Sequence, residues 1–76
     1  MTQKSRQALT LCLGYLDGLR TRRHLDRAAA ERALVGLAQA DIEAYLNGHD
    51  DGVKGERTRY MAAKATLAQS GQRVYE

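Results

Sequence analysis

Proline, tryptophan and phenylalanine are absent from this 76-residue chain, and cysteine occurs once. Without proline, no residue forces a helix to end or to kink. A single cysteine excludes a disulfide within the chain, which is the cross-link that many small domains use. Cys12 lies between Leu11 and Leu13. We expect it to be a small buried side chain in a reducing compartment and not a nucleophile.

Large apolar side chains are also scarce, because leucine is the main one and alanine and glycine are abundant. A chain of about this length buries only about 60% of the surface that its unfolded form exposes. Each buried leucine contributes roughly 1.5–3 kcal/mol, and each alanine far less. We therefore expect one helical domain, residues 1–76, that gains stability by forming a homodimer.

Patterns that carry chemistry are missing as well. The chain has no Gly-x-Ser-x-Gly element and no phosphate-binding loop. His49, Asp50 and Asp51 are adjacent, but adjacent side chains point in different directions and match no zinc or calcium loop. We therefore expect no enzymatic activity, no cofactor and no bound metal.

The apolar stretch over residues 8–19 contains Gly14, Asp17 and Gly18 and is too short to span a bilayer. No small-residue cleavage site follows it, so it does not have the layout of a signal peptide. We expect a cytoplasmic protein.

Apolar periodicity predicts an all-α fold of two or three helices, arranged as an antiparallel hairpin or small bundle. The first helix is predicted from about Thr2 to Arg23, and the last from about Glu56 to Gln69. A helix in between is predicted from about Arg27, with Asp26 as its N-cap and an interruption at Gly36, after which Asp41 caps a fresh start. The predicted core consists of Leu9, Leu13, Leu16, Leu34, Ile42 and Leu67.

Residues 47–55 allow two interpretations. Asn47–Gly52 is the densest group of turn formers in the chain, and we predict a break there. The alternative is a continued helix on which Gly48, Gly52 and Gly55 share a face that another backbone can approach closely. Gly14 and Gly18 form a second pair of this kind, and residues 15–18 resemble residues 45–48. This echo suggests that two helices meet through matched tyrosines and glycines.

Charge is distributed in blocks. Residues 1–30 carry six basic and two acidic side chains. Residues 31–53 carry one basic and five acidic side chains, and residues 54–76 carry five basic and two acidic side chains. Solvated helix faces are one interpretation of this layout. Antiparallel self-pairing, or a partner with the opposite layout, is the other.

One candidate function is DNA binding. Residues 35–48 resemble the centre of a repressor-type helix-turn-helix, with Gly36 in the turn. The resemblance departs at Glu31 and Arg32, where that family has apolar residues and alanine. Asp41 and Glu43 on the presumed reading helix would repel phosphates, and a base reader would carry Arg, Lys, Gln or Asn there. This reading remains the alternative.

Protein binding fits more features, because tyrosine and arginine are enriched in interface hot spots. Arginines cluster near residue 22, and all four tyrosines lie near charged or glycine-rich segments, although Tyr75 is expected to play no part. The predicted contact residues are Tyr15, Arg20, Arg22, Arg23 and Tyr60. For Tyr15 the competing interpretation is a core aromatic.

Residues 44–55 combine Tyr45, Gly48, the Asp51-Gly52 pair and Gly55. With the chain length and the Ala/Arg/Leu-rich composition, this segment resembles the small helical anti-quorum-sensing and pilus-inhibiting proteins of Mu-like transposable Pseudomonas phages. The resemblance implies a helical dimer, made early in infection, that inhibits a host transcription regulator or motor ATPase. No functional residue transfers from it. A structural oligomer is the third functional hypothesis.

Overall fold

The computed structural model describes residues 2–71, and this part of the chain forms four α-helices and no strand. The helices are α1 Gln3–Thr21, α2 Arg27–Ala33, α3 Gln39–Lys54 and α4 Thr58–Gln69. The all-α prediction is confirmed for these residues. Four helices form where two or three were predicted, because the expected interruption at Gly36 separates α2 fully from α3. Tyr75 lies outside the described residues.

Capping chemistry accounts for the ends of α1 and α3. The Thr2 side chain accepts a hydrogen bond from the Ser5 N–H at 3.0 Å and starts α1. Arg22 ends α1 in the left-handed region, with φ 57°, and its N–H donates to the Gly18 carbonyl at 2.9 Å. Gly55 ends α3 with φ 76°, where a missing Cβ removes the steric cost. The predicted break at residues 47–52 is therefore wrong. The helical alternative is confirmed for Gly48 and Gly52, but Gly55 ends the helix and does not share their face.

α1 and α3 cross at their glycines. A Cβ added to Gly14 would lie 2.2 Å from the carbonyl oxygen of Tyr45, and one added to Gly48 would lie 2.0 Å from that of Leu11. Real Cβ atoms do not approach backbone this closely, so no other residue type fits at either position without a backbone shift. The two contacts are equivalent. Gly14 faces the carbonyl of the residue three positions before Gly48, and Gly48 faces the carbonyl of the residue three positions before Gly14.

A second equivalent pair extends the crossing. A Cβ on Gly18 would lie 2.2 Å from the carbonyl oxygen of His49, and one on Gly52 would lie 2.1 Å from that of Tyr15. Each glycine therefore directs a Cα–H bond at a carbonyl oxygen of the other helix, a contact that recurs at close helix crossings. In this symmetric crossing the residue that corresponds to Tyr15 is His49, not Tyr45. The sequence similarity between residues 15–18 and 45–48 therefore does not identify the residues that meet.

The direction of α3 relative to α1 follows from the contacts at its two ends. Arg6 pairs with Asp41 at 3.1 Å near the start of both helices. Gly18 meets Gly52 near the end of both helices. The two helices are therefore parallel, and the predicted antiparallel arrangement is wrong for this pair. A parallel pair needs a connection that returns along the bundle, and residues 22–38, which we call the α2 arm, provide it.

The hydrophobic core lies between α1 and α4, which are antiparallel. Tyr15 stacks on Tyr60 with ring centroids 4.2 Å apart, and the Ser5 and Ser70 hydroxyls share a hydrogen bond of 2.8 Å. The buried cluster consists of Cys12, Tyr15, Tyr60, Ala63 and Leu67. The predicted burial of Cys12 is confirmed.

The predicted core is correct in part. Ile42 and Leu67 are buried, and Leu9, Leu16 and Leu34 are partly buried. Leu13 is 48% exposed, so its assignment to the core is wrong. The reason is that α1 turns its glycines to α3, which places Leu13 on the side away from that helix.

The α2 arm is the least buried part of residues 2–71. Ala30 is its one buried residue, whereas Val35 is 82% exposed and Leu37 is also exposed. Asp26 precedes α2 as predicted, but its side chain makes no capping hydrogen bond. Asp41 does not start α3 either, because the helix begins at Gln39 and Asp41 is buried in its first turn.

Candidate interaction surfaces

The two tyrosines of the predicted contact surface lie in the core. Tyr15 is 3% exposed and Tyr60 is 1% exposed, and their rings stack within 17° of parallel. Neither side chain is on the surface, so that part of the prediction is corrected. The chain has no larger aromatic residue, and the tyrosines take the place of the missing phenylalanine and tryptophan.

The three predicted arginines lie together on the surface at the end of α1. The Arg20 side chain is 76% exposed and lies 3.6 Å from the Asp17 carboxylate, one helical turn earlier. Arg22 and Arg23 are also exposed. Neither makes an ion pair or side-chain hydrogen bond with any group in residues 2–71. We call these three residues the α1 arginine surface.

Arg22 has a backbone conformation that favours glycine. It is the only non-glycine residue among residues 2–71 with a positive φ. The left-handed region costs an ordinary residue about 1 kcal/mol or more relative to glycine. Glycine would therefore cap α1 at a lower conformational cost than arginine does.

The buried carboxylates of α3 are paired with arginines of other elements. Arg59 makes two hydrogen bonds to Asp51, both 2.7 Å long, and Arg6 makes one to Asp41 at 3.1 Å. The bidentate geometry of the Arg59–Asp51 pair is the strongest form of an arginine–carboxylate interaction. The second oxygen of Asp41 and Nδ1 of His49 find no hydrogen-bond partner among residues 2–71.

The exposed carboxylates of α3 are paired as well. Arg27 of α2 bonds Glu43, and this hydrogen bond lowers the Glu43 pKa. His24 Nδ1 and Lys54 Nζ lie 3.3 and 3.0 Å from the two oxygens of Asp50. The Lys54 hydrogen bond is the main cause of the lowered Asp50 pKa. The acidic middle block of the sequence is thus matched within the chain by basic residues of both flanking blocks.

A polar pair ties α1 to α3 beside the glycine crossing. The Tyr45 hydroxyl donates to Asp17 at 2.5 Å. Burial, and then this hydrogen bond to a carboxylate, raise the Tyr45 pKa to about 12. His49, one turn further along α3, is buried with Nε2 3.5 Å from the Thr21 hydroxyl. Sequence reasoning placed His49 in a turn, and nothing in its neighbours indicated burial.

Residues 2–71 contain no cavity and no group of three potential metal ligands. Burial raises the pKa of the Cys12 thiol to about 11. None of the described helices has the length and apolar character needed to cross a membrane.

The α2–turn–α3 geometry has the order of a helix-turn-helix. Gly36 lies in the turn with φ 98°, as predicted. The outward side of α3 carries Gln39, Ala40 and Asn47, but also the carboxylates of Glu43 and Asp50. Asp41 is buried and does not belong to that face.

Comparisons with known proteins identify no relative. No model of a protein family matches the chain, and no curated protein or solved structure is similar to it. The resemblance to phage proteins therefore stays a prediction from residues 44–55.

Proposed function

We propose that this protein acts by binding another protein through the α1 arginine surface, Arg20, Arg22 and Arg23. The observation that carries the proposal is that Arg22 and Arg23 are exposed without a carboxylate partner in residues 2–71. The acidic residues of α3, in contrast, are matched within the chain. The unmatched positive charge is therefore available to an acidic surface of a partner.

The conformation of Arg22 supports the same proposal. A residue kept in a strained backbone region where glycine is better suggests a role for its side chain. Arginine is also a residue type that dominates protein interfaces. The Asp17 carboxylate lies 3.6 Å from Arg20, and the Asp50 carboxylate lies 3.3 Å from His24, the residue after Arg23. Such mixed charge suits a protein surface better than a nucleic-acid backbone.

The more specific form of the proposal comes from the phage resemblance. In that form the partner is a host transcription regulator or motor ATPase, the effect is inhibition, and the place of action is the host cytoplasm. No catalytic step is part of this function.

The test uses two variants of the α1 arginine surface. Arg22→Glu/Arg23→Glu should abolish capture of the partner from nuclease-treated bacterial lysate and leave the helical circular dichroism unchanged, because both side chains are exposed. Lys4→Glu reverses an exposed charge at the other end of α1 and should leave capture unchanged. Capture that survives the double reversal would contradict the proposal.

Arg22→Gly provides a second, sharper test. Glycine should raise the free energy of unfolding by about 1 kcal/mol, because it relieves the left-handed conformation. It should at the same time weaken partner binding. A variant that is more stable and binds as well as the original chain would show that Arg22 is no contact residue.

DNA binding is the second candidate, favoured by the α2–turn–α3 geometry with Gly36 in its turn. It predicts retention of DNA when nuclease is omitted and a steep loss of affinity with added salt. Reversal of Glu43 to lysine on the outward face of α3 would then strengthen binding. A partner protein captured in near-stoichiometric amount after nuclease treatment would exclude this candidate.

A further inference from the structure

The outward face of α2 carries a pattern that is complementary to itself. Glu31 and Arg32 are adjacent, and Ala28 and Val35 each lie three and four residues from them. All four are exposed, whereas Ala30 on the other side is fully buried. Val35, just beyond the end of the helix, is 82% exposed and is the most exposed large apolar residue in residues 2–71. A large apolar side chain is thus held in water beside an acidic and a basic one.

Two copies of this face fit together in antiparallel orientation. With a two-fold axis between residues 31 and 32, Glu31 of one copy meets Arg32 of the other. Val35 of one copy then meets Ala28 of the other. Symmetry forms each contact twice, as in any isologous dimer. A parallel arrangement would instead place Glu31 against Glu31 and Arg32 against Arg32.

We propose that a second copy of this chain docks antiparallel on this face of α2. Charge supports this occupant: Arg32 makes no ion pair within residues 2–71. The Glu31 side chain remains 46% exposed although Arg27 lies 3.3 Å away. Leu37, also exposed, adds apolar surface at the edge. The proposal shares no residue with the α1 arginine surface and stands or falls independently of the proposed function.

The size of the face sets the strength of the dimer. α2 has seven residues, so an antiparallel pair buries less surface than stable interfaces do. The dimer should therefore be weak and should form over a range of protein concentration. Sedimentation equilibrium of the full chain measures this directly. The apparent mass should rise from 8.4 kDa toward twice that value as concentration increases.

Charge reversal distinguishes this interface from any other. Glu31→Arg and Arg32→Glu each place like charges opposite each other, and each should weaken self-association by about tenfold or more. An equimolar mixture of the two variants should form a heterodimer, because the adjacent arginines of the first variant then face the adjacent glutamates of the second. The double variant Glu31→Arg/Arg32→Glu should restore the homodimer.

Two controls separate the interface from folding and from net charge. Circular dichroism should be unchanged in every variant, because both positions are exposed. Lys4→Glu changes the net charge as much as Arg32→Glu does and should leave the dimer intact. A mass of 8.4 kDa for the original chain at every concentration up to the millimolar range would overturn the proposal. So would single variants that still dimerise, or a mixture that stays monomeric.

Discussion

The helical body of α1, α3 and α4 and the α2 arm are held in different ways. In the body, four glycines allow the backbones of α1 and α3 to touch, and the stacked rings of Tyr15 and Tyr60 fill the space between α1 and α4. In the arm, one alanine is buried and three apolar side chains are partly buried, and solvated ion pairs to Glu43 and Asp50 add the polar contacts. Close packing of backbone tolerates almost no change, whereas solvated ion pairs contribute little each. The difference teaches that backbone contact at the glycines, together with the buried tyrosine stack, fixes the body, whereas the arm has neither.

Gly48→Ala should have the largest effect on stability, because its methyl group would lie 2.0 Å from the Leu11 carbonyl oxygen. Forcing the helices apart should lower the free energy of unfolding by about 2–4 kcal/mol, although alanine itself favours a helix by about 1 kcal/mol. Urea unfolding followed by circular dichroism measures the change.

Asn47→Ala is the matched control, since Asn47 is the exposed neighbour on the same helix. It should leave stability unchanged or raise it slightly through helix propensity. Equal stabilities for the two variants would mean that α1 and α3 do not cross at Gly48.

The sequence predicts the location of a residue in the fold where hydrophobic periodicity or turn preference determines that location. Hydrophobic periodicity placed Ile42 and Leu67 correctly, and the positive φ at Gly36 agrees with its expected role in a turn. Leu13 was misplaced because the centre of the buried face of α1 is formed by Gly14 and Gly18, which have no side chain for a hydropathy pattern to detect.

The helical state of residues 47–54 was only the alternative interpretation for the same reason. Turn propensity is local, and it favours a break at Asn47-Gly48. The glycines are stabilised in a helix only by contact with a second glycine pair, which lies on a different helix much earlier in the chain. For the predicted contact residues, residue type favours Arg22 and Tyr60 equally, and only the fold shows that Tyr60 is buried.

A matched pair of arginine substitutions compares the two regions directly. Arg59→Ala leaves the buried carboxylate of Asp51 without its bidentate partner. It should lower the free energy of unfolding by about 1–3 kcal/mol, the lower end being expected because the Arg59 side chain itself is half exposed. Arg27→Ala removes contacts to Glu31 and Glu43, which are both solvated, and should give no change beyond experimental error. Equal losses in the two variants would show that the arm is held as firmly as the body.

Tyr45 connects α1 to α3 beside the crossing, and its effect should be smaller and pH-dependent. Tyr45→Phe removes the hydrogen bond to Asp17 and should lower stability by about 1 kcal/mol at neutral pH. Because the folded protein raises the Tyr45 pKa from about 10 to about 12, it holds this proton more tightly than the unfolded chain does. The resulting stability is fully present below about pH 10 and is lost as pH rises toward 12.

The measurement for Tyr45 is the difference in stability between the original chain and Tyr45→Phe from pH 8 to pH 12. Burial also raises the Cys12 pKa, to about 11, and its titration affects both proteins in the same alkaline range. That contribution cancels in the difference, since Cys12 is present in both. The advantage of the original chain should therefore shrink above about pH 10, and a difference that is constant with pH would contradict the burial and bonding of the Tyr45 hydroxyl. A shrinking difference would mean that side chains as well as glycine backbone stabilise the crossing, whereas the one glycine of the α2 arm makes no such backbone contact.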